Sequence, residues 1–201
     1  MASQDALKKY REKRNFKRTA EPSGDEKLDG RRTNQFVIQK HDASSLHYDF
    51  RLQIGDVLVS WAVPKGPSTD PSVKRLAVRT EDHPLQYGNF EGVIPEGEYG
   101  AGTVLLWDRG DYRNLRAEKE DDGADMEAAL DDGKIEVWLN GEKLKGGYVL
   151  IRTSTGKDEQ WLLKKIDDDA ADARRNPVST EPHSVESGLT LEEIEQRADE
   201  Q

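Results

Sequence analysis

Gln39-Lys40-His41-Asp42-Ala43-Ser44-Ser45-Leu46-His47-Tyr48-Asp49-Phe50-Arg51-Leu52 is the stretch from which the fold is read. Its second half alternates polar and apolar side chains, and in an extended strand successive side chains point to opposite faces. Tyr48, Phe50 and Leu52 therefore make a core face, while His47, Asp49 and Arg51 look out together into a cleft or groove. His41 precedes the strand by a short loop and folds back towards His47. Two imidazoles and one carboxylate form a three-ligand site with open positions, suited to Mn²⁺, Fe²⁺ or Zn²⁺. Arg51 does not fit a bare metal site, because a guanidinium is repelled by a cation unless an anion lies between them. A phosphate bound to both removes the conflict, since arginine clasps phosphate through two parallel hydrogen bonds. The same alternation also marks the wet face of any half-buried sheet, so this stretch alone leaves a site and a plain surface both open.

Working outward, short β-like segments recur with turn signals between them. Phe36 to Gln39 and Val57 to Val63 read as strands, the latter broken by Pro64-Lys65-Gly66-Pro67. Leu76 to Arg79, Thr103 to Trp107 and Trp161 to Leu163 continue the series, and Ile135 to Leu139, Asn140-Gly141 and Tyr148 to Arg152 suggest a hairpin. Only Met126 to Leu130 has helical character within this region. The pattern predicts a mainly β fold, a closed or nearly closed barrel with short helices and polar tails. Trp61, Trp107, Trp138 and Trp161 are assigned to the core rather than to base stacking, and the Gly- and Pro-rich residues 91–102 to a connecting loop.

Three regions are expected: a basic arm over residues 1–33, the barrel over 34–166, and an acidic, linker-like tail over 167–201. Leu7, Tyr10 and Phe16 can anchor a short helix in the arm, which Pro22-Ser23-Gly24 ends and Gly30-Arg31-Arg32 follows as loop. Thr190 leads a small capped helix in the tail. The formal net charge of −10 argues at first against a nucleic-acid partner. Yet residues 1–40 hold eleven basic against six acidic side chains, and the acidic excess lies in Glu118 to Asp132, Asp167 to Asp172 and the last ten residues. Such blocks read as solvated surface. The chain has no cysteine, which excludes disulfides and thiolate metal sites and fits a reducing compartment. It has no apolar run of about 18 residues and no signal-peptide pattern, so a cytoplasmic location without membrane contact is expected. No long apolar edge or heptad points beyond a monomer.

A further histidine, His83, sits in the turn-rich Glu81-Asp82-His83-Pro84. With this segment, Phe36 to Leu52, Trp61 to Pro67, Phe90-Glu91-Gly92, Ile94 to Gly100, Lys143 to Gly146 and Trp161 to Lys164, the ordered run of motifs resembles the 3′-phosphoesterase domain of bacterial DNA ligase D and its free-standing relatives. The resemblance covers roughly residues 7 to 166. It implies a compact β-barrel with a crescent-like groove, one Mn²⁺-type ion (or another divalent ion such as Zn²⁺ or Co²⁺), and a DNA 3′ end as substrate. The family removes a 3′-terminal ribonucleoside to leave a 3′-phosphate, then hydrolyses the phosphate to a 3′-OH.

Carried over position by position, the resemblance implies His41, His47 and Asp49 as metal ligands. Arg51, Arg75 and His83 are implied as phosphate-holding groups with Tyr87 near them, and Gln39 and Lys65 match motif positions near the site. Arg14 and Glu21 match residues that assist the ribonucleoside step. The neighbouring position, usually acidic in the family, is Asn15 here, which weakens the expectation for that step. His83 has two open roles, proton donor to the leaving sugar oxygen or hydrogen-bonding partner of the phosphate. Two rival readings remain: a non-haem iron oxygenase, which also uses two histidines and a carboxylate, and a DNA-end-binding module that recruits a ligase without turnover. Because Pro182 to Ile194 resembles the linker that precedes a ligase in larger proteins, a separate ligase is an expected partner.

Overall fold

A computed structural model describes residues 6–25, 34–119 and 124–200. The loop expected at Gly30-Arg31-Arg32 lies outside them. The first helix is α1 (Lys8–Glu12). Strands β1 (Gln35–Asp42), β2 (Leu46–Ile54), β3 (Val57–Val63) and β4 (Lys74–Arg79) follow, then the short β5 (His83–Pro84), a 3₁₀ turn (Leu85–Asn89) and β6 (Gly92–Ile94). The long β7 (Gly102–Asn114) leads into α2 (Leu115–Lys119) and α3 (Met126–Asp132), then β8 (Lys134–Gly141), β9 (Lys145–Ser154) and β10 (Gln160–Lys165). Two short helices, α4 (Pro177–Thr180) and α5 (Leu191–Asp199), complete the described chain.

Neighbouring strands run β1-β2-β3-β4-β10-β9-β8-β7, and β7 pairs back onto β1, closing an eight-stranded antiparallel barrel. The mainly β barrel expected from the alternation is therefore present. Closure requires an irregularity, and β1 supplies it as a register shift between Ile38 and Gln39 against β7; such bulges bend a strand and add twist.

The barrel wall has two covered faces on one side, and this places the site. Phe36, Ile38, Tyr48, Phe50, Leu52, Trp61, Trp107, Tyr148, Trp161 and Leu163 fill the interior as one buried cluster. A second cluster lies on the outer face of β1, β3 and β7, where Val37, Leu58, Val104 and Leu106 pack with Tyr10, Tyr87, Phe90 and Ile94. The cover comes from the N-terminal arm and the 83–101 connection. Helix α1 is shorter than the Leu7 to Phe16 spacing suggested, and Tyr10 from it is fully buried. Three of the four tryptophans, Trp61, Trp107 and Trp161, are fully buried.

The C-terminal residues depart from the solvated tail expected from their composition. They lie along the barrel: Trp107 Nε1 donates to the Glu181 carbonyl at 2.8 Å, Thr69 Oγ1 to the Asp172 and Arg175 carbonyls, and Val185 N to the Leu106 carbonyl. Helix α5 begins at the capping box of Thr190 with Glu193 and buries Leu191 and Ile194. Asp168, in an acidic block read as surface, accepts from Gly147 N at 2.6 Å and from the buried Lys165 Nζ at 2.6 Å. A few apolar anchors and buried hydrogen bonds thus hold a segment whose overall polarity suggests none.

Candidate active site

The β1–β2 hairpin builds the site. Its register sets His41 opposite His47 and Gln39 opposite Asp49, and facing residues of an antiparallel pair have Cβ atoms roughly 5 Å apart. The imidazole centroids are 4.8 Å apart. His41 Nδ1 lies 3.6 Å, and His47 Nε2 3.5 Å, from the Asp49 carboxylate oxygens. One ligand-type atom from each of the three falls within 4.8 Å of the others.

The far nitrogen of each ring is fixed by backbone. His41 Nε2 is 2.8 Å from the Gly100 carbonyl and His47 Nδ1 is 3.0 Å from the Ser45 carbonyl. A carbonyl only accepts, so these nitrogens carry the protons, and the opposite nitrogens face Asp49 with a lone pair when the ring is neutral and with an N–H donor when it is protonated. This is how proteins orient imidazoles for a metal ion. Two neutral nitrogens and a carboxylate oxygen, with no thiolate, can hold a divalent transition metal. Gly102 secures the supporting loop: a Cβ there would meet the Asp42 carbonyl oxygen at 2.0 Å, so any side chain would force β7 off β1 just after Gly100.

Arg51 follows on the same face and is buried. Its Nη2 pairs with Asp49 Oδ2 at 3.2 Å, its Nε donates to Gln39 Oε1 at 2.7 Å, and its Nη1 donates to Ser60 Oγ at 2.9 Å. Gln39 is itself clamped by donating to the Tyr87 and Phe90 carbonyls, both at 2.9 Å. Burial works against a charge on Asp49, but Arg51 and the two imidazoles outweigh it and hold the carboxyl well below its ordinary range. Burial likewise opposes charge on His47, and its hydrogen bond to Asp49 reverses that, raising its pKa.

His83 faces this row from β5. Its Nδ1 is 2.8 Å from the Glu81 carbonyl and its Nε2 is 3.4 Å from Arg14 Nη2. Nδ1 also lies 3.0 Å from Arg51 Nη1, a group that only donates, so a donor and an acceptor compete for that nitrogen. Burial, then Arg51 and Arg14, push the His83 pKa well below 6.5, so the ring is neutral near pH 7. Tyr87 packs against it at 4.7 Å between ring centroids and lies under the Arg51 guanidinium. Burial, with Glu21 adding to it, raises the Tyr87 hydroxyl well above its ordinary pKa. That hydroxyl donates to Glu21 Oε1 at 3.0 Å, and the same oxygen accepts from Arg14 Nε at 2.9 Å. Arg14 also reaches Glu81 at 3.1 Å, so the arm is stitched into the site.

Together these groups line a cavity of about 240 Å³ that includes His41, His47, Asp49, Arg51, His83, Tyr87 and Arg14. Gln39 and Glu21 stand behind it as buried supports. Two expected residues do not reach it. Arg75 lies on the inward-facing side of β4: Trp61, an interior residue, pairs with Arg79, and Arg75 and Ala77 share that phase. Its guanidinium donates to the Gly66 carbonyl at 3.1 Å instead. Lys65 is exposed in the turn after β3. Four contributors were missed. Glu81 and Tyr99 line the cavity, the Gly100 carbonyl orients His41, and Ser60 holds Arg51. Glu81 and Tyr99 both lie inside the quoted motifs, two residues before His83 and one before Gly100. The 91–102 segment is therefore more than a connection.

Comparison with known proteins places this arrangement. A family model for the DNA ligase D 3′-phosphoesterase domain matches residues 39–152. A multifunctional non-homologous end joining protein LigD of Pseudomonas aeruginosa is 48% identical over 195 residues, 95% of this chain and 22% of the relative. A multifunctional non-homologous end joining DNA repair protein LigD of Mycobacterium tuberculosis is 45% identical over 165 residues, 81% of this chain and 20% of the relative. The chain thus spans about a fifth of the length of these relatives.

Proposed function

We propose that this chain, which belongs to the DNA ligase D 3′-phosphoesterase domain family, is a metal-dependent hydrolase that heals DNA 3′ ends in end-joining repair. Its reactions are removal of a 3′-terminal ribonucleoside to leave a 3′-phosphate, and hydrolysis of that phosphate to a 3′-OH. The observation that carries this reading is the junction of His41, His47 and Asp49 with Arg51, His83 and Arg14 in one cavity. An oxygenase has no use for two buried guanidiniums at this distance from the triad, whereas a phosphoryl group does.

Charge supports the reading. Lys13, Arg14 and Arg51 are matched by Glu81, Glu21 and Asp49. A divalent ion, for which Mn²⁺ is our choice, would be held by His41, His47 and Asp49 and would polarise a phosphoryl oxygen. Its two positive charges then match a phosphate dianion. Arg51 and Arg14 clamp the remaining oxygens and keep the phosphorus in line for attack. Neutral His83 offers a ring nitrogen as an acceptor, and a phosphate dianion beside it raises its pKa. His83 thus takes up a proton as substrate binds, and can return it to the departing sugar oxygen. Arg14 and Glu21 bring the arm to the same cavity for the ribonucleoside step. We also propose that a ligase uses the product end.

The test is a labelled primer–template ending in one 3′-ribonucleotide, incubated with Mn²⁺ or with EDTA. A metal-dependent ladder from ribo-end through 3′-phosphate to 3′-OH is expected. Hydrolysis of a preformed 3′-phosphate alone would reduce the protein to a phosphatase. Binding of the end without cleavage would replace the enzyme by a recruiting module.

A further inference from the structure

The chain has six tyrosines, and Tyr10, Tyr48, Tyr87, Tyr112 and Tyr148 are at most 2% exposed, whereas Tyr99 is 46% exposed at the cavity wall. An apolar ring left in water forgoes the burial that stabilises the others. Nor is it a loose surface residue. Its hydroxyl is 3.1 Å from Lys13 Nζ, and that ammonium also pairs with Glu81 at 2.9 Å. Its neighbour Glu98 pairs with Arg18 at 3.1 Å, and the next residue, Gly100, supplies the carbonyl that orients His41. The ring is thus fixed relative to the candidate metal ligands and still open to solvent.

The place of the ring says what reaches it. Tyr99 lines the same cavity as Arg51, Arg14 and His83 and is its exposed aromatic ring. A sugar phosphate held by the two guanidiniums carries its base towards that ring. We propose that Tyr99 is a stacking platform for the terminal nucleobase of the strand whose 3′ end lies in the cavity. The proposal rests on the 3′-end reading above and adds to it a binding element indifferent to sequence, because every base has a π face. Lys13 Nζ and the Arg14 guanidinium also lie over the ring, 4.5 and 5.3 Å from its centroid, so a tyrosine that merely tethers the arm would act alike on base-bearing and abasic ends, whereas a platform acts on the base-bearing end.

The experiment compares wild type, Tyr99→Ala, Tyr99→Phe and Tyr99→Trp. Binding to a primer–template ending in a 3′-phosphate is measured in EDTA, and turnover in Mn²⁺. A second substrate carries an abasic sugar at that terminus, and a third carries 2-aminopurine there. Loss of one base–aromatic stack weakens binding roughly 5- to 150-fold. We expect that loss for Tyr99→Ala on the base-bearing end, seen mainly in KM, with Tyr99→Phe and Tyr99→Trp keeping most of the affinity. On the abasic end Tyr99→Ala and wild type should agree, and 2-aminopurine quenching should vanish in Tyr99→Ala alone. Wild-type turnover with an unaffected Tyr99→Ala, or an equal loss in Tyr99→Phe, overturns the platform and leaves the 3′-end reading standing. A wild-type protein inert towards every 3′ end overturns that reading, and the platform falls with it.

Discussion

Arg51 Nη2 lies 3.2 Å from Asp49 Oδ2, so one carboxylate is shared between a guanidinium and two imidazoles. A metal ion drawn to the imidazoles therefore meets a nearby positive charge, which is tolerable only when an anion intervenes. The candidate metal triad and the proposed phosphate clamp are in this sense one electrostatic unit.

Replacing Arg51 separates the two halves. Arg51→Gln should lower turnover of a 3′-phosphate about 10²- to 10³-fold, the scale for losing one preorganised charge-stabilising group. Affinity for Mn²⁺ should hold or rise, because a repelling charge has gone. In metal-free buffer the variant should lose about 3–5 kcal/mol of stability, since Asp49 stays buried without its cation. Calorimetric titration with Mn²⁺ beside steady-state rates checks both statements, and unchanged turnover would sink the clamp.

Removing any of His41, His47 or Asp49 by alanine should abolish both binding of Mn²⁺ and turnover. The pH dependence of binding has a definite sign. Asp49 raises the His47 pKa above 6.5 against the effect of burial, and an incoming ion has to displace the proton from that ring. Metal affinity should accordingly fall as pH drops through the raised His47 value, with proton release measurable in buffers of different ionisation heat. Full metal stoichiometry in any one alanine variant takes that residue out of the ligand set.

His83 makes stability pH-dependent in the acid direction. Its folded pKa is well below 6.5, first through burial and then through Arg51 and Arg14. Below about pH 6.5 the unfolded chain takes up a proton that the folded chain refuses, so the unfolded state binds more protons and stability declines as pH falls. The limit from one such group is about 1.4 kcal/mol per pH unit. His83→Gln should flatten this limb in urea melts between pH 6.5 and 5, while a limb identical to wild type assigns the acid sensitivity elsewhere.

How much of this was legible in the sequence depends on whether the relevant physics is local. The alternation from His47 to Leu52 correctly separates the two faces of β2, because strand periodicity needs no knowledge of partners. The proximity of His41 to His47 follows from a short turn. Arg75 misleads because its face is set by the pairing of Trp61 with Arg79 on a neighbouring strand, which no local pattern reveals. The C-terminal segment misleads because a few contacts, such as Trp107 to Glu181, outweigh its composition. Glu81 and Tyr99 acquire meaning only when the arm is laid across them by Lys13 and Arg14.

Asn15 offers the sharpest test of the two-step activity. It is exposed next to Arg14, and its Oδ1 accepts from Lys17 N at 3.2 Å. Asn15→Asp keeps that acceptor and the size of the side chain, so its effect on folding should be within about 0.5 kcal/mol, the usual range for a surface change. It does add a negative charge beside a guanidinium already held by Glu21 and Glu81. If the acidic residue usual at this position in the family serves the ribonucleoside step, the substitution should raise the rate of ribonucleoside removal several-fold relative to phosphate removal. The ratio of the two rates on one primer–template ending in a single ribonucleotide measures this directly. Because both steps share His41, His47, Asp49 and Arg51 in the proposed mechanism, a change in metal loading or folding moves both rates together and leaves the ratio alone. An unchanged ratio would therefore show that Arg14 and Glu21 complete the arm's contribution without an acid at position 15.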